Sequence, residues 1–149
     1  MACRCSELVV DSRDPEGLAD FWAAVLDYRV LSREEGAVEI GPEAGFGGAA
    51  PTLVFAPVPD PTPGKLRLHI DLDPTDRDQD EELDRLLRLG ATRADVGQRG
   101  DEGWHVLADP EGNQFCLLER RLDPHGAVDR SRQPEAPRPG DGPRLSSAG

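Results

Sequence analysis

No apolar run in this sequence approaches the roughly 20 residues that a helix needs to cross a membrane. The opening residues, MACRCSELVV, lack the basic-then-apolar plan of a signal peptide, so a cytoplasmic protein with reduced thiols is expected. Cysteine is sparse, and Cys3 and Cys5 stand too close together for the Cys-x-x-Cys spacing of zinc and redox motifs. Lysine is nearly missing: Lys65 stands alone, and arginine supplies the other basic side chains. The stretch GFGGAAP leads toward a strand rather than a helix, so it makes no phosphate loop. No Gly-x-Ser-x-Gly elbow offers a serine nucleophile.

What is plentiful is acid. Asp and Glu number 29 against 17 Lys and Arg, for a formal net charge of −12 at pH 7. Between residues 123 and 149, Arg130, Arg132, Arg138 and Arg144 balance Asp123, Asp129, Glu135 and Asp141, so the excess belongs to residues 1–122. Such a domain repels nucleic acid and anionic membrane surfaces, and it favours cationic or neutral ligands. From Asp123 onward Pro, Gly, Ser and Ala dominate without apolar periodicity, and this stretch is expected to be a disordered tail. Residues 1–122 then make a single domain.

Within that domain one order of elements occurs twice. Glu7–Asp11 (ELVVD) reads as a short strand. Asp14 caps a helix with Pro15 at its first position, and Leu18, Phe21, Trp22, Val25 and Leu26 share one helical face. Strands are expected at Tyr28–Arg33, Ala37–Ile40 and Thr52–Val58, with a loop at Glu43–Pro51. After a proline-rich linker at 57–64, Leu66–Leu72 alternates like a strand: Leu66, Leu68, Ile70 and Leu72 on one face, Arg67, His69 and Asp71 on the other. A helix at Asp80–Leu89 ends at Gly90, and strands are expected at Ala91–Val96, Gly103–Ala108 and Gln114–Glu119. The acidic run Asp71–Asp84 lacks the glycine and closing glutamate of a calcium loop and reads as a solvated helix start. Strand, helix and three strands thus recur, as modules at about 6–58 and 66–120.

VVDSRDPEGLADFWAAVLDYRV at 9–30, RLHIDL at 67–72 and WHVLADPEGNQFCLLE at 104–119 resemble the vicinal oxygen chelate superfamily of glyoxalase I, bleomycin-resistance proteins and extradiol dioxygenases. The likeness is nearest to its small bacterial glyoxalase-like domains. It implies an α+β fold in which two βαβββ modules form a cupped, partly open sheet, often in a homodimer. In metal-dependent members each module supplies two ligands, one from its first strand and one from its last. The resemblance places these at Glu7, at Thr52 or Val54, at His69 and at Cys116.

Glu7, His69 and Cys116 offer oxygen, nitrogen and sulfur to a divalent metal such as zinc, nickel or iron, whereas Val54 cannot ligate and Thr52 is a weak neutral donor. Three ligands and a water still make a working site. The plainer reading of Cys116, between Phe115 and Leu117, is a small buried hydrophobe. A Cys116–His69 dyad requires both in one cavity, and an apolar strand does not activate a thiol. His69 lies opposite the leucine stripe, on the cavity face, and Glu7 on that face offers it a partner without any metal. Trp22 belongs to the helix core face; Trp104 either lines the cavity or packs.

Three functions stay open. The first is a small-molecule-binding protein without a cofactor, its cavity lined by Glu7, Thr52, Val54, His69, Trp104 and Cys116 and its acid excess suited to a cationic ligand. The second is a metal-dependent glyoxalase I-like lyase, isomerase or dioxygenase using Glu7 and His69. The third is a regulatory or scaffold domain whose tail finds a partner. The missing second ligand favours the first.

Overall fold

The internal repeat of the sequence is a repeat of structure. In the computed structural model, β1 (Glu7–Ser12), α1 (Pro15–Leu26), β2 (Arg29–Glu34), β3 (Ala37–Gly41) and β4 (Thr52–Pro57) form the first module. β5 (Ile70–Leu72), α2 (Gln79–Leu89), β6 (Thr92–Arg93), β7 (Trp104–Ala108) and β8 (Gln114–Leu118) form the second. The structure describes residues 3–61, 64, 66–99 and 102–122. The expected tail from residue 123, and part of the linker, lie outside the described residues.

Each module is an open four-stranded mixed sheet, ordered β1-β4-β3-β2 and β5-β8-β7-β6. In both, the first strand runs parallel to the last, with Glu7 opposite Thr52 and Asp71 opposite Cys116. The architecture is α+β and matches the one implied by the resemblance.

The helices begin where local chemistry satisfies their free amides. The Asp14 side chain accepts from the Gly17 amide, and Pro15 follows at the first helical position. Asp78 makes a full capping box with Glu81 and Gly90 ends the helix at φ +114°, so α2 starts one residue before the expected Asp80. Two expected strands are shorter than their patterns. β5 covers only Ile70–Leu72, because its partner β8 begins at Gln114 and the chain before that residue is turning away. Leu66 and Leu68 are therefore exposed rather than part of an apolar strand face. β6 is cut to Thr92–Arg93, against the expected Ala91–Val96. There the side chains of Asp95 and Gln98 accept from the amides of Gly97 and Val96, a local turn that displaces the ladder.

One core serves both modules. Leu18, Phe21 and Trp22 of α1 pack with Val38, Ile40, Leu53 and Phe55 of the first sheet and with Phe115 and Leu117 of the second. Burying each large apolar side chain contributes about 1.5–3 kcal/mol. Trp22 lies edge-on to Phe115 at 5.2 Å, and its indole Nε1 donates to Asp109 Oδ2 at 3.0 Å. Polar contacts join the modules twice more. Glu111 Oε1 accepts from the Ser12 hydroxyl at 2.7 Å and the Asp14 amide at 2.8 Å. Arg85 of α2 donates to the carbonyls of Ala24 and Val25 near the end of α1.

The motif DPEGN is thus more than a turn. Asp109 Oδ1 accepts from the amides of Glu111 and Asn113, and Gly112 takes φ +89°, a backbone that glycine adopts without strain. Among the described residues no helix is long and apolar enough to cross a membrane.

Candidate functional site

Strand alternation in β8 sends Phe115 and Leu117 into the core and turns Gln114, Cys116 and Leu118 to the opposite, open face of the second sheet. Cys116 is half-buried there, so it is not the buried hydrophobe of the plainer expectation. Antiparallel β7 sets Trp104 opposite Leu118, Val106 opposite Cys116 and Ala108 opposite Gln114. Parallel β5 adds Asp71 beside Cys116. His69, just before β5, completes the polar edge.

These residues line a groove of about 420 Å³. Along the strands its character changes. Trp104 and Leu118 form an apolar end, Val106, Cys116 and Asp71 the middle, and His69 with Gln114 a polar end. Trp104, 45 % exposed, lines this groove rather than packing in the core. Gln114 Oε1 is buried with no hydrogen-bond partner among the described residues, an acceptor that lacks a donor. A second, mainly apolar cleft of about 400 Å³ lies between the modules; His69 and Gln114 border both spaces, and Leu66 and Leu68 line the second.

His69 Nε2 lies 3.2 Å from Asp71 Oδ1. With the Cys116 sulfur they form a group whose potential ligand atoms all fall within 4.8 Å of one another. Among the described residues this is the only such cluster of three His, Cys, Asp or Glu side chains. His69 and Cys116 are therefore together, as the sequence suggests, but the carboxylate beside them is Asp71. Glu7 is exposed on β1, opposite Thr52, and does not join the cluster; the partner of His69 is Asp71 rather than Glu7. Val54 is half-buried on β4, and Thr52 is fully buried with its Oγ1 lacking a hydrogen-bond partner among the described residues.

This arrangement does not fit the four-ligand metal centre that the resemblance implies. Val54 has no donor atom, and Glu7 stands outside the group that holds His69 and Cys116. No metal-dependent step is derived through that set.

Asp71 was legible in principle. The period-two alternation of RLHIDL puts it on the face of His69, and the parallel register puts it against Cys116. Gln114 carried no signal beyond its strand position, because its missing partner is a tertiary fact.

Solved structures share this fold. The fosfomycin resistance protein FosX from Mesorhizobium loti superposes with a TM-score of 0.60 at 20% identity, over 82% of this chain and 96% of that one. A glyoxalase/bleomycin resistance protein/dioxygenase family enzyme from Burkholderia phytofirmans gives 0.55 at 19% identity, over 77% and 97%. TnmS3, an antibiotic binding protein from a Streptomyces species, gives 0.50 at 19% identity, over 82% and 98%. At such identities the likeness concerns the fold. No curated protein matches this chain. A family model described as a glyoxalase-like domain does match, over residues 7–118, from the start of β1 to the end of β8. With both βαβββ modules inside that span, the chain belongs to the glyoxalase-like domain family.

Proposed function

We propose that this glyoxalase-like protein binds a small molecule in the groove on the open face of its second sheet, without the four-ligand metal centre. The graded groove carries the reading: an exposed indole at one end, an acid and an unpartnered amide oxygen toward the other. Trp104 and Leu118 suit a flat apolar body. Asp71 and Gln114 Oε1 suit a cationic or N–H-bearing group, and the net charge of −12 draws such ligands in. That one neighbour in fold is described as an antibiotic binding protein supports small-molecule capture as a use of this architecture.

The two tryptophans make the test direct. Trp22 is 4 % exposed and Trp104 45 %, so a ligand in the groove changes the emission of Trp104. Titration with a phenanthridinium dye is expected to shift that emission saturably, and Trp104→Phe to abolish the response. Asp71→Asn should weaken binding by about fivefold, the worth of roughly 1 kcal/mol for a partly exposed ion pair. Equal binding of the uncharged phenanthridine would refute the preference for cations. No saturable response to either compound would remove the binding reading itself.

A further inference from the structure

On the helix side of the second sheet lies a hollow of about 570 Å³ that shares no lining residue with the groove or the cleft. The end of α1, the start of α2 and the chain leaving β5 enclose it, and Leu26, Leu72 and Leu117 give it an apolar floor. Its charged lining comprises Asp27, Asp73, Asp76 and Glu82 with Arg77 and Arg85. The two arginines are already committed. Both oxygens of Asp76 accept from Arg77. Both oxygens of Glu82 accept from Arg85, which also donates to the carbonyls of Ala24 and Val25. Asp27 and Asp73 are then the acids in excess. No basic residue stands in the last turn of α1, so the negative end of that helix adds to them.

Asp73 is the carboxylate left short of partners. Its side chain is 14 % exposed, and its Oδ1 is buried with no hydrogen-bond partner among the described residues. Arg120 Nε stands 3.7 Å from that oxygen, beyond hydrogen-bond length, on a half-exposed side chain. Burial pushes the Asp73 carboxyl up against the pull of Arg120. A charged acceptor so placed gains from any donor that enters the hollow, and folded proteins leave few such groups unmet.

We infer that this hollow binds a primary ammonium ion carrying a compact apolar group, its N–H donating to the Asp73 carboxylate and its apolar part lying on Leu26, Leu72 and Leu117. The acids in excess select for positive charge, and the under-satisfied carboxylate selects for a cation with an N–H over a quaternary one. The site is separate from the groove, whose acid is Asp71 on the opposite face of the sheet, and it stands whether or not the groove binds anything.

The experiment adds phenethylammonium to the isotope-labelled full chain and follows its backbone amide resonances. The amides of Leu26, Asp27, Asp73 and Thr75 should shift saturably, and those of Val106 and Cys116 in the groove should stay in place. Asp73→Asn keeps the shape but not the charge and should weaken binding about tenfold or more. Asp71→Asn and Trp104→Phe should bind as the parent does. Arg120→Gln removes the competing cation and should tighten binding about two- to fivefold. On the parent chain, phenethyltrimethylammonium, charged but without an N–H, and phenethyl alcohol, a donor without charge, should each bind about tenfold more weakly or worse. These two analogues test the inference even where Asp73→Asn fails to fold, which its ligand-free spectrum reports. The inference is overturned by no saturable shift at residues 25–27 and 72–75, by shifts confined to the groove, by equal binding of the trimethylated analogue, or by unchanged affinity in folded Asp73→Asn. None of these results touches the groove reading, which fails only on its own dye titration.

Discussion

Trp22→Ala is expected to lower the free energy of unfolding by about 3–5 kcal/mol, the usual cost of emptying a large aromatic site in a core. Trp22 touches both halves of the molecule. Its ring lies edge-on to Phe21 at 5.5 Å and to Phe115 at 5.2 Å, and it is 4 % exposed. Truncation leaves a void at the junction of α1 and β8. It also removes one donor from the Asp109 carboxylate, which is 3 % exposed. Trp22→Phe separates the two effects, because it keeps most of the apolar volume and loses only the indole N–H. That variant should cost about 1–3 kcal/mol, the worth of one hydrogen bond to a charged group, since Asn113 Nδ2 still donates to the same oxygen. Urea melts of the two variants make the comparison. A loss below about 1 kcal/mol for Trp22→Ala would mean that the junction is not packed as described.

Glu111→Ala should cost about 2–3 kcal/mol near neutral pH, since a charged group accepting several hydrogen bonds is lost. Burial pushes the Glu111 carboxyl up, but the Ser12 hydroxyl and the amides of Asp14 and Arg13 outweigh it and hold the group below its ordinary 4.5. A carboxyl lowered in the folded state stabilises the fold fully above its unfolded value, and the contribution fades as pH falls through the folded one. The difference between parent and variant should therefore be constant above about pH 5 and shrink as pH falls below about 4.5. Glu111→Gln retains an acceptor without the charge and should differ from the parent mainly above that range. Thermal melts across the acid range provide the measurement. A difference that stays constant down to about pH 3 would show that packing, not the ionised carboxylate, joins the modules.

Much of this architecture was readable without coordinates. Asp14, Pro15 and the spacing of Leu18, Phe21 and Trp22 define α1, and the chemistry of helix starts is local. The duplicated order of elements and the DPEGN turn led to the family and placed Cys116 on a definite strand. Where the pattern overreached, the cause was tertiary. Leu66 and Leu68 alternate correctly, yet they find no strand to pair with, because they lie ahead of the point where β8 begins. The site was half legible. His69 and Cys116 meet as expected, but the carboxylate beside them is Asp71, which lies outside the two-module ligand set and reaches Cys116 through the parallel register of β5 and β8. Glu111 looked like one more turn residue. Its partners lie almost a hundred positions earlier in the chain, where no local pattern reports them.

The contacts of Glu111 carry a further consequence, for how the molecule opens. The amides of Arg13 and Asp14 reach their acceptor only while the second module's turn is docked, 98 and 97 residues away in sequence. Arg85 imposes the converse dependence at the other end of α1. Neither half keeps its full set of hydrogen bonds when the other is lost, so the two repeats should melt in a single transition and not one after the other. In native-state hydrogen exchange, the Asp14 amide should then exchange at the rate of global unfolding and not at that of a fraying helix end.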